Sequence, residues 1–395
     1  MAKFTFIVPP LTGHINPTLS LGNELLNRNH EVTWYSLDAN LKAQLPEKGQ
    51  LVVLPLEMDE MAKKKLFEHA QELQKKKVYG IDSLKFLYEE VLTPMNSLMM
   101  NGIENALDEY KPDVVISDHQ IFAGAVASFK KNIPYATSVT APASIKVNPS
   151  FPKIHEWEGE QVIAFQNKYG VSGYDRLDCS QLLTLVYTSR EFFGETDLPS
   201  NYKFIGPVLS PRAQKIDFNW EKLEKMGQDR PKILVSIGTT FDHTQKKQFF
   251  SKVVEAFEGE NITVIVVSDP DLFENIPDNF IIQKNIPQLE IIQQMQAVVC
   301  HGGNNTVCES LSYGIPLVVI PIAYDQSFVS SCVTDSGAGI RLNFNRFKTS
   351  HLKEAVESLL NQKSFSENAK MIQNSFEKAG GVSKGADYLQ TLVKN

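Results

Sequence analysis

Between His301 and Gln326 the chain reads HGGNNTVCESLSYGIPLVVIPIAYDQ, and the polar residue types in that run are those needed to hold a phosphorylated sugar. The run Ala297–Cys300 is apolar and of buried-strand type, and His301-Gly302-Gly303 breaks it before Asn304, Asn305 and Thr306 open a helix. Glycines such as Gly303 let a backbone approach a ligand closely, and the first amides of a helix carry partial positive charge that suits phosphate. His301, Asn305 and Thr306 add side-chain donors. Glu309 lies one helical turn beyond Thr306 on nearly the same face, where a carboxylate can accept two hydroxyls, as a ribose offers. Gly314 ends the helix, Pro316 opens the strand PLVVIPI, and Asp325-Gln326 follow its carboxyl end, where open α/β sheets bind ligands. A polar strand-to-helix turn without a ligand accounts for the apolar runs but leaves the polar residues unexplained.

A second set of residues fits proton transfer. His14 follows the first strand, FTFIVPP, and Asn16-Pro17 behind it reads as a helix start with Asn16 as cap and Pro17 at the first helical position. The partial positive charge of that helix end disfavours imidazolium and keeps the ring neutral, as a general base requires. Asp118 ends the strand DVVISD, at the carboxyl edge of the same sheet. If the two strands are neighbours, Asp118 takes a hydrogen bond from one ring nitrogen and leaves the other to accept a proton from a hydroxyl, the orienting logic of a serine-protease triad. Such help is worth roughly 100- to 10,000-fold in rate. His119 is expected to point to the opposite face from Asp118, and His30 and His243 show no comparable context.

The segment 301–326 resembles the donor-binding signature of family 1 nucleotide-sugar glycosyltransferases, in the branch of bacterial macrolide-type and plant small-molecule enzymes. PPLTGHINPTLSLGNELLNRNHEVTWYS is similar to that family's first strand, loop and helix, with its catalytic His and partner Asp falling on His14 and Asp118. The resemblance implies an α-phosphate contact at His301, β-phosphate contacts at Asn305 and Thr306 within the amide pocket of Gly303 and Asn304, a ribose contact at Glu309, and sugar contacts at Asp325 and Gln326. Ser236-Ile237-Gly238-Thr239-Thr240 is similar to the family's VSxGT turn, which implies that Ser236 and Thr239 face the phosphates or the sugar. Asn285-Ile286-Pro287-Gln288 aligns with the segment that grips the nucleobase, with Gln288 on the base. The family frequently carries Trp where this chain has Asn285, so stacking worth ~1–3 kcal/mol is missing. A uridine diphosphate sugar, UDP-glucose first, is expected ahead of a thymidine diphosphate sugar, and Ala323 leaves the sugar's identity open. The donor is a co-substrate and no cofactor is expected. Asp269-Pro270-Asp271 reads as a loop cap, and no metal is expected.

These residues need two α/β frames. FTFIVPP, VTWYSL, DVVISD and PYATSV alternate with helical runs over the first half, and KILVSIG, TVIVVSD, FIIQKNIP, AVVC, PLVVIPI and IRLN do so over the second. The expected domains are 1–212 for the acceptor, a linker at 213–230, 231–375 for the donor, and a helix at 376–395 packing back toward the first. The resemblance implies two Rossmann-like, doubly wound parallel-sheet domains facing across a cleft, the GT-B architecture. A helical region from about Glu57 to Asp108 and an irregular stretch from Thr140 to Gln181, bearing Phe151, Trp157, Phe165 and Tyr169, are expected to shape the acceptor pocket.

Composition agrees with a soluble globular chain: 395 residues, 42% hydrophobic and 22% charged. A net charge of −7 argues against a nucleic-acid partner. The clusters Lys63–Lys65 and Lys75–Lys77 allow at most peripheral membrane contact. Cys179, Cys300, Cys308 and Cys332 have no metal or disulfide spacing, and MAKFTFIVPP is too short for a signal peptide, so a cytoplasmic protein is expected. The expected activity is an inverting, metal-independent transfer of a hexose to a hydroxyl of a small lipophilic acceptor such as a natural product. The alternatives are a nucleotide-sugar epimerase or hydrolase of the same architecture, which needs carboxylates near the anomeric carbon, and a non-catalytic sugar-nucleotide-binding protein. No GxGxxG follows any strand, which argues against a nicotinamide-dependent oxidoreductase.

Overall fold

Strands that are apolar along their whole length must be covered on both faces, and helical crossovers between parallel strands do this. The computed structural model describes all residues except 57–58, 60, 62–67, 69–80, 147–151, 210–215, 228, 239–242, 324 and 394–395. The chain forms two compact units. The first comprises Met1–Ser189, Glu195–Ala213 and Ala379–Asn395, and the second Arg190–Gly194 and Gln214–Lys378.

The first unit is built on strands β1 (Lys3–Ile7), β2 (Glu31–Ser36), β3 (Gln50–Val53), β4 (Val114–Asp118), β5 (Tyr135–Val139), β6 (Thr184–Val186) and β7 (Tyr202–Phe204). All pair in parallel, in the order β3-β2-β1-β4-β5-β6-β7, so the winding reverses between β1 and β4. Helices α1 (Thr12–Asn27), α2 (Ile81–Phe86), α3 (Thr93–Tyr110), α4 (Phe122–Lys130) and α5 (Pro152–Lys168) belong to this unit, with a π-helical turn at Leu87–Leu92 joining α2 to α3. One core gathers Phe4, Phe6, Leu21, Leu25, Trp34 and Ile116, and a second gathers Ile7, Tyr35, Met99, Ile103, Val115 and Phe122, so alternate residues of the same strands feed opposite faces. Gly22 is needed where α1 crosses β2, because a Cβ there would stand 2.2 Å from the Trp34 ring.

Two local expectations fail. α1 begins at Thr12, not Pro17: the Leu11 carbonyl accepts from His14 N and Ile15 N at 2.9 and 3.0 Å, and Pro17 sits inside the helix. Pro17 forfeits only one early backbone bond, which a helix's opening turns tolerate. The stretch 140–181 is not all irregular, since α5 spans 17 residues of it and buries Val162 and Phe165 while its other faces are polar. Strands β3, β6 and β7, none of them anticipated, extend the two flanks of the sheet. The Lys63–Lys65 and Lys75–Lys77 clusters and Phe151 lie outside the described residues.

The second unit contains helix α6 (Arg190–Phe193), which joins it through Phe192 against Phe376 and Phe193 against Phe328, with ring centroids 5.8 and 5.5 Å apart. Its strands are β8 (Lys232–Ser236), β9 (Thr263–Val267), β10 (Phe280–Gln283), β11 (Ala297–Cys300), β12 (Leu317–Val319) and β13 (Gly339–Arg341). They pair in parallel in the order β10-β9-β8-β11-β12-β13, again with a reversal, here between β8 and β11. Helices α7 (Trp220–Lys225), α8 (His243–Phe257), α9 (Gln288–Ile292), α10 (Asn304–Ser312), α11 (Gln326–Asp335), α12 (Thr349–Asn361) and α13 (Lys363–Lys378) complete it.

The last helix, α14 (Gly381–Gln390), packs in the first unit. Arg28 holds it by donating to Asp387 at 2.7 Å and Gln390 at 2.6 Å. All four cysteines are free, and no helix among the described residues is long and apolar enough to cross a membrane.

Candidate functional site

In the first unit the reversal places β1 beside β4, with Ile7 level with Ser117, and β4 beside β5, with Asp118 level with Ser138. The residues that follow these strands therefore share one sheet edge. His14, in the first turn of α1, sets Nδ1 2.9 Å from Asp118 Oδ2. Gln120 N donates to Asp118 Oδ1 at 2.9 Å, and the Thr140 hydroxyl donates to Oδ2 at 3.1 Å. Thr140 Oγ1 also stands 2.7 Å from His14 Nδ1. With a carboxylate and a hydroxyl oxygen both facing Nδ1, the ring proton belongs on Nδ1, which leaves the lone pair on Nε2.

Asp118 is 1% exposed. Burial alone would push its carboxyl group up, but the imidazoles of His14 and His119 and the Gln120 amide outweigh it and hold the pKa below its usual value. His119 does not point away. Its ring stacks on that of His14, centroids 5.7 Å apart and planes inclined by 15°, with Nδ1 3.5 Å from Asp118 Oδ1. Burial pushes the His119 imidazole down. Strand alternation sends the Cβ atoms of adjacent residues to opposite faces, but β4 ends at Asp118, so alternation no longer governs His119.

In the second unit, β8 and β11 run level at Ser236 and Cys300, and β11 and β12 at Cys300 and Val319. The carboxyl ends of three neighbouring strands thus present Ser236, His301 and Ile320 together. The His301 ring lies over two glycines: a Cβ at Gly238 would stand 2.8 Å from its Cε1, and one at Gly303 2.7 Å from its Nε2. Burial pushes His301 down to about 4, against an opposing bond with the Ser236 backbone, and its buried Nδ1 has no hydrogen-bond partner among the described residues. α10 starts at Asn304 with Gly303 in the cap position and no side-chain cap, so Asn304, Asn305 and Thr306 form its first turn.

Further along α10, Glu309 is buried and accepts from Gln288 Nε2 at 2.5 Å, which joins the residues expected at the ribose and at the base. Asn285, three residues before Gln288, is exposed. Gln326 turns its Oε1 back onto the amides of Ile322 and Ala323, at 2.9 and 3.2 Å, and so shapes the loop that carries Asp325. Asp325 occupies the cap position of α11 without capping it through its side chain. Thr239 lies outside the described residues. Asp269 caps the short turn Pro270–Leu272 by accepting from Asp271 N at 3.2 Å.

Sequence reasoning missed Thr140. The available signal was its position directly after the strand PYATSV, at the same carboxyl edge as Asp118.

Residues 187–378 match the family described as UDP-glucoronosyl and UDP-glucosyl transferase. The whole chain is similar to NDP-glycosyltransferase YjiC of Bacillus subtilis (strain 168), with 27% identity over 399 residues that take in 98% of this chain and 96% of the relative. Among solved structures, it resembles the glycotransferase of kitacinnamycin with a TM-score of 0.77 at 22% identity, covering 100% of this chain and 99% of that one. It resembles the glycosyltransferase VinC in complex with DTDP with a TM-score of 0.73 at 17% identity, covering 99% of each chain. The structural likenesses show the fold, two parallel-sheet α/β domains of the GT-B type.

Proposed function

We propose the following reaction for this chain, which is a nucleotide-sugar-dependent glycosyltransferase of the family 1 type: inverting transfer of a hexose from a nucleoside diphosphate sugar to a hydroxyl of a small lipophilic natural product. His14 Nε2 takes the proton of the acceptor hydroxyl while that oxygen attacks the anomeric carbon. The bond from that carbon to the diphosphate oxygen breaks, and the diphosphate leaves with the electron pair. Asp118 holds the ring proton on Nδ1 and stabilises the imidazolium that forms. The observation that carries this reading is the 2.9 Å contact between His14 and a fully buried, ionised Asp118 at the reversal point of the first sheet.

The donor belongs to the second unit, with its diphosphate at His301 and the first turn of α10, its ribose at Glu309, its base at Gln288, and its sugar at Asp325 and Gln326. Ser236 and Thr239 would complete the phosphate side. Because burial keeps His301 neutral in the free protein, its contribution to an incoming diphosphate is a hydrogen bond, and the helix amides supply the partial positive charge. UDP-glucose is the preferred donor. Without an aromatic ring at Asn285, discrimination between uridine and thymidine rests on polar contacts such as Gln288.

A mass-spectrometric screen of UDP-glucose and thymidine diphosphate glucose against a panel of lipophilic alcohols and phenols tests the proposal. Acceptor products heavier by one hexose are expected, with the uridine donor faster. Release of free sugar and nucleotide with no acceptor product would favour the hydrolase reading instead.

A further inference from the structure

His119 has no task in that reaction, yet it is buried against the two residues that do. His14 Nδ1 stands 2.9 Å from Asp118 Oδ2, and His119 Nδ1 stands 3.5 Å from Asp118 Oδ1. One donor atom from each of the three residues lies within 4.8 Å of the other two. Donors held at about 2.0–2.1 Å around a tetrahedral zinc ion stand about 3.4 Å apart, and the 2.9 and 3.5 Å contacts, which reach different oxygens of Asp118, bracket that spacing. His119 Nδ1 also faces the Ser138 carbonyl at 3.3 Å, and its Nε2 is buried with no hydrogen-bond partner among the described residues. Two imidazoles and one carboxylate are the donor types that borderline transition ions favour.

We propose that His14, Asp118 and His119 form a site for one borderline transition ion, with Zn²⁺ as the type case, and that its binding switches the general base off. The inference rests on the reading of His14 as that base. A metal on His14 Nδ1 takes the place of the ring proton there, and the neutral ring keeps its single proton by carrying it on Nε2. Nε2 then has no lone pair for the acceptor hydroxyl. At the same time, Asp118 is neutralised by the ion and no longer stabilises an imidazolium. The donor site in the second unit is unaffected.

The experiment uses full-length protein freed of metal with a chelator that is then removed. Zn²⁺ binding is followed by calorimetry, Co²⁺ binding by electronic absorption and by the shifted imidazole proton signals of the cobalt form, and transfer rates are measured with and without Zn²⁺. One ion per chain, signals from two histidines, and inhibition reversed by fresh chelator are expected. His119→Gln, with each rate taken relative to the same variant free of metal, should need at least about tenfold more Zn²⁺ for half-inhibition.

No saturable binding, binding without inhibition, or inhibition unchanged in His119→Gln each overturns the proposal. If His119→Gln does not fold, the cobalt spectra of the unsubstituted protein decide, and signals from fewer than two histidines overturn it. The base reading fails separately, if metal-free His14→Ala transfers sugar at the full rate.

Discussion

Gly238 and Gly303 clamp the His301 ring, and replacing Gly238 with alanine tests whether that clamp matters to the donor. The added Cβ would stand 2.8 Å from His301 Cε1 and 3.1 Å from Nε2. Carbon contacts settle at about 3.5–4.0 Å, so the ring must retreat by about 0.7–1.2 Å. Gly238 also has φ of +62°, which costs a residue with a side chain roughly 1–2 kcal/mol. A displacement of that size breaks a hydrogen bond from the ring to a diphosphate oxygen. Bonds to charged groups are worth about 1.5–3 kcal/mol, or about 10- to 150-fold in affinity. Calorimetric titration of Gly238→Ala with UDP should show that loss, and thermal melts should show the smaller loss of stability. In a double variant with His301→Ala the two losses should not add, because both remove the same contact. Affinity equal to that of the unsubstituted protein, or full additivity, would refute the placement of His301 against the diphosphate.

Other consequences follow from the same geometry. Asp118→Asn keeps the shape but cannot stabilise an imidazolium, so kcat should fall by about 100- to 10,000-fold with donor affinity unchanged, and turnover within a few-fold of normal in a steady-state assay contradicts the pairing. Glu309→Gln should weaken UDP binding by about 10-fold or more, since a carboxyl group with two acceptor oxygens is replaced by an amide with one, and equal affinity in the same titration would remove Glu309 from the ribose. His301 has its folded-state pKa lowered from 6.5 to about 4. The neutral ring therefore contributes stability that is complete above 6.5 and is lost as pH falls toward 4, because the unfolded chain takes a proton that the folded chain refuses. Melting temperatures across that window should decline less steeply in His301→Asn, and an unchanged slope would show that His301 is not kept neutral by burial.

The sheets were legible because most of their strands carry runs of apolar, β-branched or aromatic residues. AVVC and DVVISD leave few alternatives once bracketed by Gly, Pro and Asp, and His301, just past the first, and Asp118, the last residue of the second, inherited a predictable place at the carboxyl edge. The short flanking strands β6 and β7, three residues each, carry too little periodicity to separate them from loops. α5 was hidden because only one face is apolar and its other faces carry Glu156, Glu160 and Lys168. The start of α1 was misread because Pro17 is a strong local signal for a first helical position, while the bonds that open the helix come from the Leu11 backbone and leave no trace in side-chain type.

Within the site, Asp118 was readable as a strand-end residue and His14 as a residue between the first strand and its helix, but their joining through Thr140 depends on the sheet order, which places β5 next to β4. The stacking of His119 on His14 depends on the turn that follows β4, where strand alternation no longer applies.

The central claim is that His14 removes the acceptor's proton in a sugar transfer whose donor is held elsewhere. Its most direct test pairs two numbers on one variant, the transfer rate of His14→Ala with UDP-glucose and a lipophilic phenol or alcohol found as an acceptor, and its dissociation constant for UDP. A rate lower by at least about 100-fold with an unchanged dissociation constant is expected. Transfer at the normal rate, or a loss of rate that is matched by loss of UDP binding, would contradict the claim.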